Sequence, residues 1–226
     1  MIHDLESLYT KIHAENYPVV AAGNETVDTL LKHPECDGRR GLTLLITLDV
    51  ANARKITALA DEFKAIEPDQ YYYPASDLHV TVLDVISAHE GFLRDDRQIE
   101  RFNRLIEQAI AGIAPFELYF EGTMVSSIGI LTKGFYREGL QDIRARVREV
   151  ARAEGTEFRE RYQSISAHVT LMRFTTAIKN RSRFLSAVDR CRNLKLGGMV
   201  VNGLSLVIHD WYNREKTEVG TFVVGG

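Results

Sequence analysis

Two short segments constrain this chain more than any other feature: Asp77-Leu78-His79-Val80-Thr81-Val82-Leu83 and Ser166-Ala167-His168-Val169-Thr170-Leu171-Met172. In each, β-branched and aliphatic residues alternate at period two, which predicts a strand. Side chains two apart on a strand share a face, so His79 stands beside Thr81 and His168 beside Thr170. Each pair is separated by about 6–7 Å, at about 3.3 Å per residue. Leu78, Val80 and Val82 face the other way, as do Ala167, Val169 and Leu171, and suit burial under helices. One such strand is ordinarily a half-buried histidine with a strand-favouring threonine. Two of them, 168 − 79 = 89 residues apart, point to a repeated unit with a shared site at a pseudo-twofold axis.

The flanking pattern repeats too. Strand 42–49, helix 52–66, the first His/Thr strand, helix 97–113 and strand 116–124 form one set. Strand 126–132, helix 136–153, the second His/Thr strand, helix 181–192 and strand 195–201 form the other. Strands 203–211 and 216–224 close the chain. The helices are read from apolar stripes such as Ile56, Leu59, Ala60 and Phe63. A shift of 89 carries helix 52–66 well onto its counterpart and strand 42–49 onto 131–138, a few residues off. Residues 2–16 and 24–32 read as two short helices, or one broken at Tyr17-Pro18. The expected fold is α+β and bilobal, with duplicated β-α-β-α-β halves related by pseudo-twofold symmetry. Antiparallel sheets line a central cleft and helices lie outside. An N-terminal helical extension (1–40) precedes a domain of two intimate lobes (41–226), about 41–125 and 126–226, able to exchange elements.

Composition narrows the partners. With 226 residues, 45% hydrophobic and 26% charged, the chain is ordinary soluble globular material. A formal net charge of −3 supplies no basic face for duplex DNA, while a small phosphorylated ligand or a single RNA end fits. Cys36 and Cys191 lack CxxC or metal-ligand spacing and read as free thiols in a reducing compartment. The first residues show no signal-peptide pattern, and no apolar run approaches the roughly 18 residues of a membrane span. The expectation is a cytoplasmic monomer with no membrane partner and no cofactor.

Suppose both His/Thr pairs line one cleft. A histidine titrates near 6.5, so one ring serves as general base and a second, near a bound negative charge, as general acid. Threonine hydroxyls donate to non-bridging phosphate oxygens that gain charge in the transition state. In-line phosphoryl transfer without a metal follows, and a strained 2′,3′-cyclic phosphate suits it. A metal hydrolase using the same histidines lacks any HxH, HExxH or carboxylate cluster to complete its site. A nucleotide- or RNA-binding module that lost turnover would not need two proton-transfer groups.

Leu78-His79-Val80-Thr81-Val82 and Ala167-His168-Val169-Thr170-Leu171 resemble the paired apolar-His-apolar-Thr/Ser-apolar signature of the 2H phosphoesterases. That superfamily includes RNA 2′,3′-cyclic phosphodiesterases, also called 2′-5′ RNA ligases, and the resemblance spans roughly residues 41 to 211. It implies a bilobal fold, a central cleft holding all four residues, and no required metal. By that likeness His79 and His168 move protons, in roles left open, while Thr81 and Thr170 hold the phosphate. The reaction implied is hydrolysis of a cyclic phosphodiester on a nucleotide or RNA end, with 2′-5′ ligation or hydrolysis as the alternative. Asp84-Val85-Ile86 departs from the Phe-Leu-Gly often found after the first motif. Arg173 resembles a basic residue often seen after the second motif, although strand parity turns it away from His168.

Other candidates are less constrained. Asp77 and Ser166 lie two residues before each histidine, placed either to orient a ring or simply to open the strand. Tyr71, Tyr72 and above all Tyr73 lead into the first motif, and an aromatic ring there could stack on a base or cap the lobe junction. Phe174, Trp211 and Tyr212 share that ambiguity. Arg144, Arg148 and Arg152 repeat at i, i+4 as a solvated helix face or, alternatively, a stripe that tracks RNA, and His209 has no repeated context.

Overall fold

The opening strands repeat as expected, but strand 116–124 does not correspond to strand 195–201: the two pair with each other in one sheet, and the strand in the matching place of the other sheet is the one at 203–210. In the computed structural model, which describes residues 2–161 and 163–225, β1 is Arg40–Thr47 and β5 is Gly129–Tyr136. Adding 89 to the bounds of β1 gives 40 + 89 = 129 and 47 + 89 = 136, the bounds of β5. The strand expected at 126–132 is therefore displaced. Residues 126 to 129 instead form a tight turn, closed by Ser126 Oγ donating to the Gly129 carbonyl at 3.1 Å. The remaining elements are α1 (Ile2–Ala21), α2 (Val50–Lys64), β2 (Tyr71–Tyr72), β3 (His79–His89), α3 (Asp96–Ile110) and β4 (Phe116–Ser126). They continue with α4 (Leu140–Ala153), β6 (Val169–Arg173), α5 (Arg181–Cys191), β7 (Lys195–Val201), β8 (Gly203–Asp210) and β9 (Lys216–Val223).

The fold is α+β, built on two antiparallel sheets ordered β3-β1-β8-β9 and β2-β6-β5-β4-β7. Apart from β2, both run from a His/Thr strand to the strand that opens its half and then to a strand from the other half, while β7 at the far edge of the second sheet stays with its own half. Thus β4, early in sequence, lies in the second sheet, and β8 and β9 lie in the first. Helical stripes cover the sheets as their sequences dictate. Asp49 caps α2 by accepting from the Asn52 amide at 2.7 Å, and Ile56, Leu59, Ala60 and Phe63 are buried beneath it. On α3 the buried set includes Ile99, Phe102, Leu105, Ile106 and Ile110.

The N-terminal region differs from its sequence reading. One helix runs through Pro18 to Ala21, and residues 24–32 form no second α-helix. Thr26 and Asp28 donate their amides to Ser127 and Phe174 carbonyls, both at 2.7 Å, which draws the segment out against the β4–β5 turn. Only a 3-10 turn, Thr29–Lys32, is left. Buried Tyr9 ties α1 to the second motif. Its hydroxyl donates to the Gly134 carbonyl at 2.6 Å and accepts from the Ala167 amide at 2.9 Å. A Cβ at position 134 would overlap the Ala167 carbonyl, so this approach requires glycine. Among the described residues no helix is long and apolar enough to cross a membrane.

Candidate active site

Each motif strand carries one extra residue just past its threonine. In β3, Thr81 opposes Leu45 and Leu83 opposes Leu44, leaving Val82 between them; Asp84 then opposes Thr43. In β6, Thr170 opposes Leu131 and Met172 opposes Ile130, leaving Leu171; Arg173 then opposes Gly129. Such a bulge reverses the alternation of side chains beyond it. Val82-Leu83 and Leu171-Met172 are accordingly buried as adjacent pairs. Asp84 and Arg173, each five residues past its histidine, turn onto the His/Thr face. Strand parity alone turns Arg173 the other way; the bulge reverses that.

The two faces meet in a cavity of about 170 Å³ lined by His79, Thr81, His168, Thr170, Arg173 and Tyr73. Thr43, Asp84, Ser87, Arg161, His209 and Trp211 complete its wall. Drug-sized pockets run to about 300–1,000 Å³, so this one takes a small group or the end of a longer molecule. Larger depressions of 470 and 720 Å³ lie elsewhere and contain no histidine, while one of 400 Å³ adjoins the cleft at His168, Thr170 and Arg173. Neither motif hydroxyl, Thr81 or Thr170, is engaged in a hydrogen bond among the described residues, so both remain free to donate. Tyr73 is 4% exposed, with its ring edge-on to Tyr71 at 5.0 Å. No ring face is left for a base; instead its hydroxyl accepts from Arg173 Nε at 2.8 Å. Phe174 and Tyr212 are buried. Trp211 reaches the cleft, and Arg39 lies over its ring at 4.2 Å.

The two imidazoles are held differently. His79 Nδ1 lies 2.8 Å from the Asp77 carbonyl, so Nδ1 carries the proton and the neutral ring presents the Nε2 lone pair. Asn213, the one non-glycine residue with positive φ (60°) among those described, donates to the same carbonyl at 3.2 Å. The Asp77 carboxylate turns away to Lys216 at 3.1 Å. His168 Nδ1 meets the Ser166 hydroxyl at 2.8 Å. A hydroxyl both donates and accepts, so this ring is free to present either Nε2–H or a lone pair.

Burial pushes both rings down to about 4, helped at His168 by the charges of His79, Arg144 and Arg173. Both are neutral at pH 7 in the empty cleft. Unfolded histidines titrate near 6.5, so between about 6.5 and 4 the unfolded chain binds protons that the folded one refuses. Stability is held above that window and falls as pH drops through it. Thermal unfolding followed against pH should show the decline, and a His79→Gln, His168→Gln double variant should reduce it, leaving the part set by His13 and His209, which burial also holds below their ordinary value.

Arg144 is no solvated face residue: it is fully buried. Its Nε donates to the Val82 carbonyl at 2.7 Å. Its terminal nitrogens donate to Thr81 O (2.8 Å), Ser166 O (2.7 Å), Ile165 O (2.9 Å) and Tyr136 Oη (3.2 Å). One guanidinium thus clamps the first motif strand to the residues leading into the second. Arg148, one turn on, forms an ordinary pair with Glu160 at 2.8 Å. His209, without repeated context in sequence, proves to be a cleft residue, its Nε2 2.7 Å from Thr43 Oγ1. Among the described residues no group of three or more His, Cys, Asp or Glu side chains is placed to hold a metal ion.

The family model for the 2′-5′ RNA ligase superfamily matches residues 49–212, well over half of the chain. The chain belongs to that superfamily, the 2H phosphoesterases. Its members are phosphoesterases and ligases. The fold matches that of TT0787 from Thermus thermophilus, with a TM-score of 0.57 and 19% identity over 83% of this chain and 98% of that one. It also matches E. coli LigT complexed with 3′-AMP, with a TM-score of 0.55 and 14% identity over 83% and 99%. No curated protein sequence matches significantly.

Proposed function

We propose that this 2H phosphoesterase opens a 2′,3′-cyclic phosphate on a nucleotide or RNA end without a metal, with His79 and His168 as the proton-transfer pair. What carries the reading is the meeting of two imidazole–hydroxyl pairs at one small cavity, with Arg173 turned onto the same face by the bulge after Thr170. Water attacks phosphorus as His79 Nε2 takes its proton. The bond from phosphorus to one ribose oxygen breaks, and that oxygen leaves with a proton from His168 Nε2. Thr81, Thr170 and Arg173 stabilise the charge growing on the non-bridging oxygens. The rings then hold each other's former proton state and reset through solvent.

Because both rings are neutral in the empty cleft, His168 takes up its proton together with the anionic substrate, whose charge raises its pKa. The Ser166 hydroxyl rotates to accept the new Nδ1–H. A bell-shaped pH profile is the expected signature. LigT has been crystallised with 3′-AMP, NADP+ and ATP, which supports a nucleotide ligand here. The near-symmetry of the pair also suits the reverse reaction, forming or cleaving a 2′-5′ phosphodiester. The test is hydrolysis of 2′,3′-cyclic AMP in excess EDTA, with the product position read by phosphorus NMR. Turnover should persist under chelation; its loss, with recovery on adding zinc or manganese, overturns the metal-independent mechanism.

A further inference from the structure

The two wings of the cleft are built to one plan and carry opposite charges. Asp84 occupies in β3 the place of Arg173 in β6, five residues past the histidine and turned inward by the same kind of bulge. Arg173, anchored on Tyr73, serves an anion. Asp84 is anchored as an acceptor, receiving Thr43 Oγ1–H on Oδ1 at 2.9 Å. A threonine has a single hydroxyl proton. Nδ1 of His209 lies 2.6 Å from the Asp210 carbonyl, so the neutral ring carries its proton there and Nε2 is an acceptor. Thr43 Oγ1 stands 2.7 Å from that Nε2, so its one proton is shared between His209 and Asp84, and the carboxylate is left short of donors. Asp84 Oδ2 makes no hydrogen bond or ion pair with any described residue, and its side chain lines the cavity.

A half-buried carboxylate oxygen facing a small cavity repels a second anion and calls for a donor. We propose that Asp84, set beside Thr43 at the cavity wall, forms a subsite for an uncharged hydrogen-bond donor of the ligand: a sugar hydroxyl or an N–H edge of a nucleobase. The cleft then takes a nucleoside phosphoester with a single anionic group inside it, the phosphate at the Arg173 wing and the donor at the Asp84 wing. This subsite deepens the phosphoesterase reading and rests on it.

The test is calorimetric titration of the wild type, Asp84→Ala and Asp84→Asn with two probes, adenosine 3′-monophosphate and inorganic phosphate. The expected effects have opposite signs. Asp84→Ala weakens the nucleotide by about tenfold or more, the worth of one hydrogen bond to a charged group, and tightens inorganic phosphate because a like charge is gone. Asp84→Asn keeps the shape and the acceptor for Thr43; it too tightens phosphate, and it loses less nucleotide affinity. Parallel weakening of both probes, or no change in either, overturns the subsite. Since the readout is binding, it is separable from the proposed reaction. Wild-type protein that binds nucleotide through Asp84 yet leaves 2′,3′-cyclic AMP intact refutes the hydrolysis alone. Wild-type protein that turns over the cyclic nucleotide with no sign-opposed effect at Asp84 refutes the subsite alone.

Discussion

Replacing His79 or His168 with alanine is expected to lower kcat/KM for 2′,3′-cyclic AMP by about 10²–10⁴-fold in each case, the usual worth of a positioned acid or base. Both rings line the cleft and neither belongs to the apolar core, so circular dichroism should change little. Since the two groups act in one step, the double variant should fall well short of the product of the single losses. The two losses part company when the leaving group changes. An aryl phosphodiester whose phenolate departs unprotonated has no need of the acid. His168→Ala should then recover much of its deficit, while His79→Ala, lacking the base, should not. Equal deficits on both substrates would reverse or erase the assignment drawn from the Asp77 carbonyl and the Ser166 hydroxyl. Variants within threefold of wild type on both substrates would remove the histidines from the chemistry.

The strands, the helix stripes and the two His/Thr pairs were legible because they depend on local periodicity. His79 and Thr81 share a face for a reason internal to three residues. What lay beyond the motif was hidden by the extra residue after each threonine, and in β3 by further slips downstream. Val82 and Leu171 belong to continuous apolar runs, Val82-Leu83 and Leu171-Met172, and nothing in an apolar run announces that the alternation has slipped. The one available signal was the spacing of polar residues in β3, at 79, 81, 84 and 87: a step of two, then steps of three. These four are the residues of β3 that line the cavity, together with Ala88. Thr43 and His209 were out of reach because their meeting depends on β1 pairing with β8, 166 residues away in sequence. Likewise the exchange of β4 for β8 between sheets leaves no local trace, since either strand presents the same apolar face.

Arg144 shows the same limit, and changing it to methionine is expected to be among the most damaging substitutions in the protein. By sequence it is the first of three arginines at i, i+4 on a charged helix. In the fold it alone turns inward, because β3 ends the first sheet and its Thr81 and Val82 carbonyls need donors that no neighbouring strand supplies. The Ile165 and Ser166 carbonyls ahead of β6 need them as well. A guanidinium has five N–H donors in a rigid fork, and here all five are used, with no carboxylate among the partners. Methionine fills comparable space but leaves those acceptors without donors, for a loss of about 3–5 kcal/mol. At about 2–4 °C per kcal/mol for a chain of this size, Tm should fall by roughly 6–20 °C. Arg144→Lys keeps the charge with three donors on a flexible stem, so it should recover only a minor part. The folded fraction carries a second signature. Arg144 is one of the charges that hold the His168 pKa down. Without it His168 titrates higher, and the limb of the pH–rate profile that His168 sets should move to higher pH. A methionine variant that melts within two degrees of wild type, with that limb unmoved, would show that the clamp between the motif strands lies elsewhere.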